Sequence, residues 1–239
     1  MAQSDRIIFA LDVGDFESAR NWVDRLKGRV GWFKIGLELF TATGPDIVKA
    51  VKDSGIKCFL DLKFHDIPNT VAGAVRSAVK TGADMMTVHL SGGRAMLQAA
   101  QDAAGDESGR LGLRRPLIVG VSVLTSLGSD DMADIGVGRT PADQVIHLAR
   151  LASSCRLGGM VCSADDLSHI RQQVPAELML VTPGIRPGGS QTGDQKRVAT
   201  PSSALKAGAD LLVIGRPISG APDPVKAVEQ IVEELEAAS

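Results

Sequence analysis

Acid and base side chains crowd one stretch of the chain, Phe59-Leu60-Asp61-Leu62-Lys63-Phe64-His65-Asp66-Ile67-Pro68-Asn69-Thr70. Lys57 to Leu62 reads as a short buried strand. Alternate side chains of a strand share a face, so Asp61 and Lys63 are expected to point the same way, with Cα atoms ~6.6 Å apart. Leu60 and Leu62 then point the other way, into apolar surroundings. Asp66 follows after a turn. Pro68 suits the first turn of a helix, where its missing N–H is of little consequence. Charges this dense at the end of a core strand are unfavourable unless they pair. Two readings fit: a structural ion pair at a strand end, or a charged catalytic cluster.

Other residues able to do chemistry fall at the ends of other apolar runs. Asp12 ends the first run, Lys34 lies in the second, Thr125-Ser126 follows the fifth, Arg186 follows the seventh, and Gly215-Arg216 ends the eighth. The two arginines suggest a bound anion. In Val213-Ile214-Gly215-Arg216 the glycine lets the backbone approach, and the guanidinium can grip phosphate oxygens in a bidentate fashion. Arg186 and Gln195 could close over the same group from their loop, or Arg186 could be a solvated surface residue. The histidines say less. His65 fits neither HxH nor HExxH, His89 ends the fourth run as either a pocket residue or a core histidine, and His147 and His169 lie in helical segments.

These residues are carried by eight short apolar runs: Ile7–Leu11, Trp32–Ile35, Lys57–Leu62, Met85–Leu90, Leu117–Leu124, Gly159–Cys162, Leu178–Val181 and Leu211–Ile214. Between them lie helical stripes: Phe16, Ala19, Val23 and Leu26; Val145, Leu148, Ala152 and Cys155; Val225, Val228, Val232 and Leu235. Strand starts recur every ~30 residues, the size of a βαβ unit. Strands apolar on both faces imply a parallel sheet covered by helices. Eight such units fit an α/β fold, a single (β/α)8 TIM barrel spanning 1–239 as one domain. An open doubly wound sheet would need a Gly-rich turn after the first strand, and Leu11-Asp12-Val13-Gly14-Asp15 does not supply GxGxxG. In a barrel the C-terminal strand ends form one mouth, so these charges would meet there. Two long loops, Thr125 to Pro141 and Pro183 to Thr200, are candidate lids.

Composition bounds the partners. A net charge of −2 gives no basic field for nucleic acid, and 3% aromatic residues with no Tyr give no stacking platform. No run approaches the ~18 apolar residues of a membrane span. The start Met1-Ala2-Gln3-Ser4-Asp5-Arg6 lacks the apolar core of a secretory signal. Three cysteines, Cys58, Cys155 and Cys162, without CxxC spacing read as buried thiols in a reducing cytosol, so a cytoplasmic location is expected.

The pattern Asp61-x-Lys63-x-x-Asp66-Ile67-x-x-Thr70 resembles the signature of the orotidine 5'-phosphate decarboxylase family, in its bacterial form. The resemblance runs through the whole chain: Asp12, Lys34, Leu124-Thr125-Ser126, Pro183-Gly184-Ile185-Arg186, Gln195 and Ile214-Gly215-Arg216 fall where that family has them. It implies a homodimeric barrel without cofactor or metal that converts orotidine 5'-phosphate to UMP and CO2. It further implies that Lys63 protonates C6 and that Asp61 lies near the substrate carboxylate. Asp66 would come from the partner subunit, with Ile67 and Thr70 beside it. Lys34 and Asp12 would contact the ribose, Ser126 and the Thr125 backbone the pyrimidine, and Pro183, Arg186, Gln195, Gly215 and Arg216 the phosphate.

Such chemistry leaves an sp² carbanion with no adjacent electron sink, so stabilisation must be electrostatic. Repulsion between two carboxylates is ~4 kcal/mol at ~4 Å with an effective dielectric near ~20, short of the ~8–23 kcal/mol of full enzymatic accelerations. Three other readings compete. A metal-dependent barrel of the same DxKxxD type has a carboxylate near position 34 for Mg²⁺, where this chain has Lys34. A Schiff-base aldolase needs a neutral Lys63, against the pull of two acids. A non-catalytic nucleotide-binding barrel would not need the Asp-Lys-Asp set.

Overall fold

The computed structural model describes residues 2–187 and 199–238. Eight strands are present: β1 (Ile7–Leu11), β2 (Trp32–Ile35), β3 (Lys57–Phe64), β4 (Met85–His89), β5 (Leu117–Val121), β6 (Gly159–Val161), β7 (Met179–Thr182) and β8 (Leu211–Ile214). They pair in sequence order, β1 against β2 and on to β8, and β8 pairs back with β1. Each pairing is parallel, and the sheet is a closed barrel. Closure removes the exposed strand edges that an open sheet would leave, and the doubly wound alternative is ruled out.

The helices are α1 (Phe16–Leu26), α2 (Leu37–Thr43), α3 (Asp46–Asp53), α4 (Pro68–Lys80), α5 (Gly93–Leu111), α6 (Ser129–Asp134), α7 (Pro141–Ser154), α8 (Leu167–Arg171), α9 (Pro201–Ala207), α10 (Arg216–Ser219) and α11 (Pro224–Ala237). Their starts follow local chemistry. Asp15, Thr140, Thr200 and Asp223 each accept a backbone N–H with the side chain, and the last three precede a proline at the first helical position. The stripe on α11 buries Val228 and Leu235 as its spacing predicts, and Ile231 beside them.

Strand alternation sorts side chains into two cores. Ile7, Phe9, Phe33, Leu60 and Met86 face outward and meet the helices through Val23, Val48, Val75, Leu148 and Ile231. Ile8, Trp32, Phe59, Met85, Val119, Val181 and Leu211 face inward and plug the barrel. Two residues further along the strands the inner layer changes character. Ala10 succeeds Ile8, Lys34 succeeds Trp32, Asp61 succeeds Phe59, and Thr87 succeeds Met85. The apolar plug is therefore the floor on which polar groups stand.

Five strands differ in their bounds from the sequence expectation: β4 stops at His89 rather than Leu90, β6 stops at Val161 rather than Cys162, β7 runs Met179–Thr182 rather than Leu178–Val181, and β3 and β5 differ by more. β3 runs on to Phe64 rather than ending at Leu62. β5 stops at Val121, not Leu124. There Ser122 turns its hydroxyl to the Val161 carbonyl at 2.7 Å, the ladder ends, and Leu124, Thr125 and Ser126 are exposed beyond it. The segment from Thr125 to Pro141 is not a plain loop, since it contains α6.

Candidate active site

A cavity of about 290 Å³ opens at the C-terminal ends of the strands. Asp12, Lys34, Asp61, Lys63, Thr125, Pro183, Arg186, Gly215 and Arg216 line it, together with apolar groups that include Phe59, Val121, Val181 and Val213. Nine of the residues singled out in the sequence thus share one wall. Gly215 keeps that wall thin: a Cβ there would stand 3.4 Å from both Ala10 Cβ and Asp12 Oδ2.

Four charged groups form a string of alternating sign. Lys34 Nζ lies 3.3 Å from Asp12 Oδ1 and 3.9 Å from Asp61 Oδ2, and Lys63 Nζ donates to that same Asp61 oxygen at 3.0 Å. Asp61 is buried, and only 13% of the Lys34 side chain is exposed. Removing Asp61 would leave Lys34 without its inner partner in a place water barely reaches, whereas Asp12 at the outer end keeps 63% of its side chain exposed. Lys63 retains 30% side-chain exposure, on the cavity side of the string.

The local backbone that makes this string is not a regular strand. Leu60 stands opposite Met86, but Phe64 stands opposite Val88. Over that stretch β3 holds two more residues than β4, and Lys63 takes φ 52°. A left-handed conformation is unfavourable by ~1–2 kcal/mol for a residue with a side chain. Simple alternation across Asp61-Leu62-Lys63 therefore does not explain why the two charges meet; a bulge does. Leu62 does pack against the outer core, as expected. Thr87, which no sequence pattern singles out, bonds both arms of the bulge. Its Oγ1 accepts the Lys63 N–H at 2.8 Å and donates to Asp61 Oδ1 at 2.9 Å.

The remaining candidates lie elsewhere. Asp66, Ile67 and Thr70 are exposed outside the cavity of their own chain, with Asp66 Oδ1 accepting the Ile67 N–H at 2.6 Å. Ser126 is exposed and does not line the cavity. Gln195 lies outside the described residues. Arg186 anchors its segment through its own N–H to the Ala199 carbonyl at 2.9 Å.

His89 ends β4 with its ring centroid 5.2 Å from that of His65. Burial, with the His65 and Lys63 charges adding to it, holds His89 below the usual imidazole range, and Asp61 opposes the shift. Cys162 also lines the cavity, but burial, followed by the nearby Asp166, pushes its thiol up to about 12. It is a neutral wall group rather than a nucleophile near neutral pH. Among the described residues no cluster of three or more His, Cys, Asp or Glu is placed to hold a metal ion. No described helix is long and apolar enough to cross a membrane.

Comparison with known proteins agrees with this layout. The chain is 50% identical to orotidine 5'-phosphate decarboxylase of Moorella thermoacetica over 237 residues, covering 99% of this chain and 94% of that protein. It is 48% identical to the protein of the same name from Idiomarina loihiensis, covering 96% and 97%. Among solved structures, orotidine 5'-phosphate decarboxylase from Lactobacillus acidophilus superposes with a TM-score of 0.85 at 34% identity, covering 96% of this chain and 98% of that one. The enzyme from Pyrococcus horikoshii OT3 superposes with a TM-score of 0.76 at 26% identity, covering 96% and 99%. The sequence model of one family matches residues 5–231, and with these relatives it settles the assignment: the chain belongs to the orotidine 5'-phosphate decarboxylase / HUMPS family.

Proposed function

We infer that this protein converts orotidine 5'-phosphate to UMP and CO2, a carboxy-lyase reaction of pyrimidine biosynthesis. It works without cofactor or metal, as a homodimer folded from single-domain chains in a reducing cytosol. The observation that carries this reading is the string Asp12–Lys34–Asp61–Lys63 on a cavity that Arg186 and Arg216 also line.

The bond from C6 to the carboxylate breaks, its electron pair stays on C6, and CO2 leaves. The Lys63 ammonium stabilises that pair electrostatically and then gives C6 a proton, after which solvent restores the ammonium. Asp61 holds Lys63 in place from one side, next to the substrate carboxylate. Asp66 of the partner subunit completes the array, with Ile67 and Thr70 from the same segment bordering the base. Lys34 and Asp12 bind the ribose, and Ser126 with the Thr125 backbone reads the pyrimidine. Pro183, Arg186, Gln195, Gly215 and Arg216 hold the phosphate. Phosphate is remote from C6, so its binding energy serves closure and positioning rather than the bond itself. The family also contains enzymes with other substrates, and Lys34 favours the decarboxylase among them, since an ammonium repels a divalent cation where a carboxylate would hold it.

The test is CO2 release from orotidine 5'-phosphate by purified protein in excess chelator. The wild type is expected to turn over undiminished. Lys63→Ala is expected to lose at least ~10²–10⁴-fold in kcat, the usual worth of a positioned proton donor, while still binding UMP. Near-normal turnover by that variant, or loss of wild-type turnover in chelator, would sink the reading.

A further inference from the structure

We propose that Thr87 is the positioning residue of the charge string: its hydroxyl fixes the Lys63 backbone and the Asp61 carboxylate in one geometry. The role rests on the decarboxylase reading above and states what sets that site. A threonine hydroxyl has one proton and two lone pairs. Here the proton goes to Asp61 Oδ1 at 2.9 Å, and a lone pair takes the Lys63 N–H at 2.8 Å. Thr87 is fully buried, which leaves water little access to the position.

Both bonds meet needs created by the bulge. Asp61, Leu62 and Lys63 stand opposite Thr87 alone, because Leu60 pairs with Met86 and Phe64 with Val88. In an unbroken ladder the Lys63 N–H would find a backbone carbonyl, whereas here a side chain of β4 is the acceptor. That bond holds a residue at φ 52°, from which the side chain leaves toward the cavity. The second bond acts on the carboxylate. The terminal torsion of an aspartate is broad and roughly two-fold, so an untethered carboxylate turns easily. With Oδ1 engaged by Thr87, Oδ2 alone faces the lysines, at 3.0 Å from Lys63 Nζ and 3.9 Å from Lys34 Nζ. Thr87 touches no part of the cavity itself, so it acts through Asp61 and Lys63.

Two variants test this. Thr87→Val keeps the shape and removes the hydroxyl, while Thr87→Ser keeps the hydroxyl. T87V is expected to lose about 10²-fold in kcat with KM and UMP affinity unchanged, the signature of misplaced groups rather than weakened binding. T87S is expected to stay close to wild type in both constants. A T87V enzyme with wild-type kcat, or a folded T87S that fails as badly as T87V, overturns the role. If T87V does not fold, T87S and Thr87→Ala decide it: kcat must survive in the first and fall in the second. Crystal structures give a readout independent of turnover. The Lys63–Asp61 contact is expected in T87S and lost in T87V, and its persistence in T87V overturns the claim even if the wild type proves inactive on orotidine 5'-phosphate.

Discussion

Around Lys63 the protein places groups that differ in how they bear a proton. Asp61 and Lys34 form ion pairs within the string, while His89, across from His65, takes a proton less readily than an ordinary imidazole, because of burial first and its neighbours His65 and Lys63 second. The consequence for stability has a definite sign. A base whose value is lowered on folding is protonated more readily in the unfolded chain. The folded state is therefore at no disadvantage above the ordinary value of 6.5, and it loses stability as pH falls below that toward the lowered value. His89→Gln cannot protonate, so its acid sensitivity should be smaller. Urea midpoints at about pH 7.5 and about pH 5.5 measure this, because unfolding midpoints track stability when the slope is constant. The gap between the two is expected to narrow in H89Q, and an unchanged gap would assign the acid sensitivity to other groups. The residue types of the site were legible in the sequence because Asp61 and Lys63 sit in a core strand that has no structural use for them, with Asp66 just beyond its end. Thr87 was not legible, because one buried threonine in a β-strand looks like any other until its hydroxyl is seen to join the Asp61 carboxylate and the Lys63 backbone N–H on β3.

At the level of elements, the sequence is most explicit where a rule is local. Thr140-Pro141, Thr200-Pro201 and Asp223-Pro224 each mark a helix start, because cap and proline act within one turn. It is least explicit where a neighbour decides. The bulge in β3 exists only relative to β4, and β5 ends at Val121 because Ser122 finds Val161 on β6. Gly159 shows the same dependence on neighbours. It opens β6 between Val119 of β5 and Met179 of β7, and a Cβ there would lie 2.6 Å from the Met179 carbonyl oxygen. Backbone atoms bonded into a closed barrel have little room to give. Gly159→Ala is therefore expected to lower stability by about 1–3 kcal/mol, the usual range for overpacking a tight interior. Urea unfolding measures it, and an alanine variant as stable as wild type would mean that β6 and β7 separate more easily than the ladder suggests.

At the scale of the whole molecule, the residues of the Asp61–Thr70 signature fall in two places on one chain. Its cavity holds Asp12, Lys34, Asp61 and Lys63, while Asp66 and Thr70 from the same signature stand exposed outside it. Ile67 between them is 67% exposed, and Leu37 at the start of α2 and Ile135 at the end of α6 are exposed as well. A lone exposed isoleucine is ordinary on a protein surface. One that shares its segment with Asp66 and Thr70 would be covered by the second copy in the dimer proposed above. A two-fold interface is reciprocal, so each chain would lend Asp66 to the other and each site would need both. Neither Lys63→Ala nor Asp66→Ala alone should then turn over, since every site in either homodimer lacks one member. In a mixed dimer the two defects fall in the same site and the other site is complete. Co-refolding equal amounts makes half of the dimers mixed, so about a quarter of wild-type activity should return with an unchanged KM. Activity no greater than the sum of the two separate variants, in material that sedimentation shows to be dimeric, would confine the chemistry to one chain and remove Asp66 from it.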